Sequence, residues 1–433
     1  MLSITNKDWQ GKALVVVAAL YLPFLLSLSM LTGHLQRLGD ASLFFSSTDA
    51  QGYKEIADYY TSLGHSEWPS DYLLSLRPFL FPLYLGLYKV IGIAGVQVLQ
   101  MILNVASLWL VCVSTKALSH RSWIAVICTL VLALTPSFNF LVFHGLTESL
   151  SMFLICLFIA LIVKHFKNNG RSELFIATLV VSLLLCIRPI ILPFWIVCVG
   201  YYFIWSLRNP GPSLWRPAIS VAPVLVQLLI SFLVSGTATL SSAGGTVFSN
   251  WYFPAVYLEK EYGRFLGRKS PEAQEGQERF PQLTDKVRYL ASNYKEALYT
   301  YAQILIIANL MAGSSFATPT GRMDEDNRAV LYLQKWSVYL NRAFLGLHAA
   351  MLGLLVSLIV WGKRIFGQKA MLVCYVFAVL LILPAGLTYL QGDRYIVVAE
   401  PLWLAAHAAL VVLFMDFLNI RNEAKSQGIE LNH

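Results

Sequence analysis

The chain has 433 residues, 57% of them hydrophobic and only 13% charged, about half the charged share of a soluble domain, which excludes a soluble globular enzyme and a disordered chain. The net charge of +8 sits largely beside long apolar runs, where basic residues mark cytoplasmic membrane flanks rather than a nucleic-acid surface. The six cysteines fall almost entirely inside those runs and form no CxxC or Cys/His set, so neither a disulfide framework nor a metal site is expected of them.

In chain order, residues 13–33 are charge-free and long enough for one span at about 1.5 Å per residue. Lys7 and Lys12 precede this run, so the N-terminus is placed inside and the run is a retained first helix, not a cleaved signal. The stretch 44–82 is the first long polar interruption and lies outside. It carries Asp49, Tyr53, Glu55, Asp58, His65, Glu67, Asp71 and Arg77. Residues 79–90 are apolar but short and broken early by prolines, which predicts a reentrant or juxtamembrane helix. Residues 90–115 span inward to Lys116 and Arg121. Residues 122–163 predict two spans with a turn near 136–139, returning to Lys164, Lys167 and Arg171. Residues 174–207 repeat the pattern, with Arg188 and Pro189 at the outer turn.

Residues 217–235 lead out again to a long outer region, 236–341. Inside that region, 297–321 is charge-free and is expected to lie on the interface, because a span there would put Lys363, Arg364 and Lys369 outside. Spans at 343–360, 370–390 and 396–416 complete a predicted set of ten, with both termini inside. The expected divisions are 1–235, a membrane catalytic module with its first outer loop at 34–89; 236–341, an extracytoplasmic region; and 342–433, a second membrane module. No internal repeat is visible, which counts against an inverted-repeat transporter.

Asp49, Arg77, His144, Glu148, Arg188, Asp393 and Arg394 all fall at the non-cytoplasmic ends of predicted spans. Ionisable groups at membrane depth are costly and line cavities or pair with one another. One shared outer-face site is therefore expected, although Glu148 or Arg188 alone would also suit a structural ion pair. Arg188 and Arg394 could clamp a phosphate, and Asp49 could take a proton from an acceptor hydroxyl. No ATP is supplied outside, so the donor would be an activated lipid-linked sugar phosphate. There is no Walker loop, no GxGxxG in a strand context and no HxxxH or HExxH pattern. His348 and His407 read as packed within spans. No metal is expected; Asp49 and Glu148 are the acids a divalent cation would use if one bound.

At TDAQGYKEIADYY, RPFLFPLYLGLYK, LTPSFNFLVFHGLTESLSMFLICLFIAL and QGDRYIVVAEPLW the chain resembles the polyprenyl-phosphate-sugar-dependent glycosyltransferases of the GT-C fold, among them protein O-mannosyltransferases and lipid A aminoarabinose transferases. The resemblance runs in order along nearly the whole chain. It implies an all-α polytopic membrane protein, a GT-C-like bundle with juxtamembrane helices in the first outer loop. It implies Asp49 as the catalytic carboxylate, with Glu148 the second candidate, and arginines at the donor phosphate, here Arg188 or Arg394. The substrate-binding set expected is Tyr53, Arg77, His144, Arg188, Asp393, Arg394 and Tyr395. The chain departs from the many members that carry two acids together, since Asp49 is followed by Ala50 and Gln51; this weakens a metal. The C-terminal soluble domain of some members has no counterpart, so acceptor specificity is expected in 236–341.

The function expected is transfer of a sugar from a polyprenyl-phosphate donor to an extracytoplasmic lipid, glycan or protein acceptor, by inverting displacement in the cell membrane. The competing functions are a lipid-linked glycan polymerase or ligase, and a lipid-linked oligosaccharide flippase or transporter. Membrane lipids are partners and nucleic acid is not.

Overall fold

The computed structural model describes residues 7–62, 77–209, 215–241, 245, 247–263, 270–306, 328–360, 369–387 and 394–426. All regular structure among them is helical, as an apolar bilayer demands of a chain that must satisfy its own backbone. In chain order the helices are α1 (Lys7–Leu31), α2 (Ala41–Phe44), α3 (Thr48–Thr61), α4 (Leu80–Leu85), α5 (Tyr88–Ser119), α6 (Ser122–Ala133), α7 (Pro136–Phe140), α8 (Glu148–Asn168), α9 (Arg171–Leu185), α10 (Leu192–Arg208) and α11 (Trp215–Ser235). They continue as α12 (Phe253–Tyr262), α13 (Pro271–Arg279), α14 (Leu283–Ser292), α15 (Tyr294–Gln303), α16 (Arg328–Val360), α17 (Lys369–Ile382) and α18 (Arg394–Ser426).

This is a multi-pass membrane protein, but the described residues hold fewer spans than the ten expected. Seven helices are long and apolar enough to cross: those at Trp9–Leu31, Tyr88–Ser119, Glu148–Asn168, Pro189–Arg208, Trp215–Leu233, Leu331–Ile359 and Val397–Asn419. An eighth arises only if Ser122–Ala133 and Pro136–Phe143, bent by 67°, count as one. The difference lies in three helices that stop short before prolines, two of them at turns expected from the sequence. Pro136 starts a new helix instead of continuing α6, α9 stops three residues short of the Arg188–Pro189 pair, and α17 ends before Pro384. The residue before proline is pushed out of helical geometry. With 15 and 14 residues, α9 and α17 reach about 21–23 Å, short of the roughly 30 Å hydrocarbon layer.

The centre of the bundle is α5, α8 and α18. Of their best spanning windows 61%, 61% and 78% is buried by protein, against 22% for α1, α10, α11 and α16. Phe194 on α10 meets Phe158 on α8 and Phe377 on α17 edge to face, its centroid 3.9 Å from that of Phe377, and Phe158 and Phe377 are tilted against each other. All six cysteines are free and buried.

The ends of the helices sort by chemistry. The Trp109 indole donates to Gln10 O at 3.0 Å, and Lys116 sits 3.3 Å from the Trp9 ring centroid, so the start of α1 lies beside the end of α5. Lys164 at the end of α8 pairs with Glu173 at the start of α9 at 2.8 Å. The basic clusters therefore share one end of the α5–α8–α9 core. Glu148, at the start of α8, and Arg188, just past α9, share the other.

Residues 79–90 form no span. α4 is one short helix, and α5 is broken at Gly92, whose φ of +74° is left-handed. A side chain is disfavoured there, so the chain turns sharply out of its juxtamembrane segment into the membrane helix. Between α11 and α16, α12–α15 wrap a small aromatic core around Phe253 and Tyr257, with Phe280 and Tyr289 packed on them. The Tyr301 hydroxyl on α15 donates to Leu383 O, beyond α17, which seats this unit on the non-basic end of the bundle. Of the interfacial segment expected at 297–321, only the part up to 306 falls within the described residues.

Candidate active site

The polar stretch after α1 begins with Asp40, which caps α2 by accepting from Ser42 N at 2.7 Å. Ser47 then caps α3, its hydroxyl accepting from Ala50 N at 3.1 Å. That cap fixes Asp49 in the first helical turn, where the helix dipole favours a negative charge. Ala50, Tyr53, Ile56 and Ala57 form the buried face of α3, and α4 packs against it, with Phe81 edge-on to Tyr53 at 4.7 Å.

Arg77, just before α4, closes onto this helix. Its Nη2 donates to Asp49 Oδ1 at 2.5 Å and its Nη1 to the Tyr53 hydroxyl at 3.4 Å, while the guanidinium stands 4.7 Å over the Tyr53 ring. Burial opposes the Arg77 charge, but Tyr53 and Asp49 outweigh it and raise the guanidinium above its ordinary value. Burial likewise raises the Tyr53 phenol, against the opposing field of Arg77, and the charges of Asp49, Glu148 and Arg188 also reach it. Tyr53 is thus a neutral hydroxyl within the field of two ion pairs.

The second pair lies at the head of α8. Arg188 Nη1 stands 3.4 Å from Glu148 Oε1, with both side chains buried. Two contacts bring this end to the first loop: Gly145 N donates to Phe44 O at 2.8 Å, and Ser46 Oγ lies 3.3 Å from His144 Nδ1. A Cβ on Gly145 would stand 3.3 Å from that same carbonyl, so the approach needs the bare backbone.

Three buried polar residues of α5 hold α7 and the loop from it to α8. Gln97 donates to Phe143 O at 2.9 Å and accepts from Gly39 N at 2.8 Å. The Gln100 amide nitrogen, turned inward, donates to Val142 O at 2.7 Å and His144 O at 3.2 Å. Asn104 donates to Phe138 O at 2.6 Å. The sequence reading missed these positions, yet they carry a signal: polar side chains at i, i+3 and i+7 within an apolar helix share one face and need partners in a membrane. Replacing Gln97 by Leu preserves volume but strips the Phe143 carbonyl of this partner. We expect a loss of about 1–3 kcal/mol, measured by denaturation of the variant in lipid or detergent, with little loss expected at an exposed site such as Glu55.

Asp49, Tyr53 and Arg77 therefore come together, as do Glu148 and Arg188, with His144 against Ser46. Asp393 lies outside the described residues, as do the side chains of Arg394 and Tyr395, although Arg394 opens α18. Asp58 does not join Asp49. Burial would raise its carboxyl, but bonds to Lys54, Lys89 and Tyr88 outweigh this and hold it below the ordinary range. Among the described residues no three or more His, Cys, Asp or Glu are grouped to hold a metal.

No family model and no curated protein matches the chain. Among solved structures the chain is similar to ArnT from Cupriavidus metallidurans bound to undecaprenyl phosphate, at 14% identity and a TM-score of 0.33, with 91% of this chain and 76% of that one covered. It is similar in the same way to the apo state of that protein, at 13% identity and a TM-score of 0.34, with 91% and 77% covered.

Proposed function

We propose that the chain is a membrane glycosyltransferase that moves a sugar from a polyprenyl-phosphate donor to an extracytoplasmic acceptor. The observation that carries this is the convergence of Asp49–Arg77 and Glu148–Arg188 on Tyr53, at the end of the bundle opposite the basic clusters. A scaffold has no need of two buried or half-buried ion pairs around one phenol, and such pairs are weak sources of stability.

In the proposed reaction the acceptor hydroxyl or amine attacks the anomeric carbon as Asp49 takes its proton. The bond from that carbon to the phosphate oxygen breaks, and the polyprenyl phosphate leaves with the electron pair. Arg77 holds the Asp49 carboxylate in place. The two ion pairs are each compensated internally, so the added negative charge of the donor calls for a further cation; Arg394 is assigned that role beside Arg188. Tyr53 lines the sugar side, and Asp393, Tyr395 and His144 belong to the substrate surround. Glu148 serves as the partner that fixes Arg188.

The site faces the non-cytoplasmic side because Lys116, Arg121, Lys164, Lys167 and Arg171 gather at the other end. Single cysteines at positions 55 and 167, both exposed, test this in sealed vesicles of known orientation. Position 55 should label from outside and position 167 only after permeabilisation; the reverse pattern would overturn the orientation.

The activity itself is tested with purified protein in lipid and polyprenyl-monophosphate sugars. Transfer to an acceptor with release of polyprenyl phosphate is expected. Movement of the donor across the bilayer without transfer would mark a flippase, and use of pyrophosphate-linked glycans alone would mark a polymerase or ligase.

A further inference from the structure

Far from Asp49 in sequence, four buried side chains form a chain of hydrogen bonds between three helices. The Tyr375 hydroxyl of α17 lies 2.9 Å from His407 Nδ1 of α18. His407 Nε2 lies 2.9 Å from His348 Nδ1 of α16. His348 Nε2 lies 3.2 Å from Glu400 Oε2, one side of a carboxyl that is 1% exposed. The Trp403 ring stacks on His348 at 4.6 Å. Glu400 Oε1 is buried and has no hydrogen-bond partner among the described residues.

Proton counting limits what this chain can be. Where two imidazole nitrogens face each other, one must carry the hydrogen and the other must be bare. With both rings neutral and Glu400 ionised, Tyr375 O–H donates to His407 Nδ1, His407 Nε2–H to His348 Nδ1, and His348 Nε2–H to Glu400. Every bond is made, but the group keeps one net negative charge inside the bundle. One added proton changes this. His348 then donates from both nitrogens, to Glu400 and to His407 Nε2, and His407 Nδ1–H donates to the Tyr375 oxygen. Two of the three bonds reverse and the net charge becomes zero. A second proton on the rings would set one N–H against another between His348 and His407.

We propose that Tyr375, His407, His348 and Glu400 form a site for a single proton within the membrane bundle, and that the bound proton fastens α16 to α17 and α18. An uncompensated charge at that depth is costly, so the proton-loaded group is the stable one. The fastening matters for α16 because most of its spanning surface is not covered by protein. The nearest titratable group from another packed helix is a thiol. Cys128 of α6 donates to Leu404 O at 3.7 Å and feels the Glu400 charge, with Cys112 of α5 behind it, and Cys374 of α17 adjoins Tyr375. On α8 the thiol is Cys156, and Glu148 and Lys164 lie toward its two ends; α7 carries no ionisable residue. On α16, Arg342 and Tyr339 are exposed, as is Asp416 on α18.

The pH dependence follows from the count. In the unfolded chain two histidines near pKa 6.5 hold, on average, one proton between them at about pH 6.5, more below and fewer above. The folded group holds one throughout this range. Stability from the group therefore rises with pH below about 6.5 and falls with pH above it. The test is heat unfolding of the full chain in lipid nanodiscs, from about pH 5 to about pH 8.5, for the wild type, His348→Gln, Glu400→Gln and the double variant. Both unfolded chains carry the same two histidines, so the wild-type midpoint minus that of Glu400→Gln should fall steadily as pH rises from about 5 to about 8.5, and the double variant should lose little beyond either single one. Parallel curves, or additive losses, would overturn the proposal. Should the variants fail to fold, assigned ring-15N histidine spectra and the carboxyl carbon of Glu400 count protons in the wild type. One proton beyond neutral rings and an ionised Glu400 is expected at about pH 7; none would refute the site.

Discussion

Asp49→Asn is expected to lower turnover by roughly 10²–10⁴ while leaving donor binding nearly intact. The amide keeps the size of the carboxylate, the Ser47 cap is untouched, and the amide oxygen can still accept from Arg77, which now donates at 2.5 Å. What disappears is the capacity to take a proton from the attacking acceptor. Two acids on the same helix serve as controls. Glu55 is exposed, and Asp58 is tied to Lys54 and Lys89 at 2.8 and 2.7 Å, so neither joins the Asp49–Arg77–Tyr53 cluster. Glu55→Gln and Asp58→Asn should retain most of the rate. Initial-rate kinetics with saturating and limiting donor separate the effects: the Asp49 variant should lose kcat and keep its donor affinity. Full activity of Asp49→Asn would remove this residue from the mechanism.

The second large effect is on stability. Arg188→Met leaves Glu148, fully buried at the head of α8, without the guanidinium 3.4 Å away. Breaking a buried pair from one side costs about 3–5 kcal/mol, whereas replacing both partners with apolar groups is often close to neutral. Arg188→Met should therefore destabilise strongly, and Glu148→Leu/Arg188→Met should recover most of the loss. Both variants should be inactive, because Arg188 is assigned to the donor phosphate. Denaturation in detergent measures the first part and sugar transfer the second. A single variant within about 1 kcal/mol of wild type would show that the pair does not act as a buried unit, and an active double variant would remove Arg188 from the donor site.

Much of this architecture is legible in residue order. Apolar runs and their basic flanks give an all-α polytopic bundle, and the polar interruption after α1 gives Asp49, Tyr53 and Arg77 as one cluster. The number of spans is less legible because hydropathy counts apolar length and ignores where a helix must stop. Turns at Pro136 and Pro189 are read from the sequence, but the helices before them and before Pro384 hold only 12, 15 and 14 residues. The ladder Gln97, Gln100 and Asn104 was hidden for another reason. Uncharged polar residues barely lower hydropathy, and their partners are backbone carbonyls far along the chain. His348 and His407 do pack within spans, but a separation of 59 positions gives no spacing from which their pairing could be read. Arg188 was visible as a lone charge in an apolar run and Glu148 as a candidate for a structural ion pair; the antiparallel packing of α8 and α9 brings the two together.

The central claim is a single displacement at the anomeric carbon, with the acceptor attacking opposite the departing phosphate. It is tested most directly by the configuration of the transferred sugar. Purified protein in lipid is given a polyprenyl-monophosphate sugar of defined anomer, and the product anomer is determined by NMR. Inversion is the predicted result. Retention of configuration would contradict single displacement even if Asp49 proved essential, and absence of transfer from every polyprenyl-monophosphate sugar would contradict the activity itself.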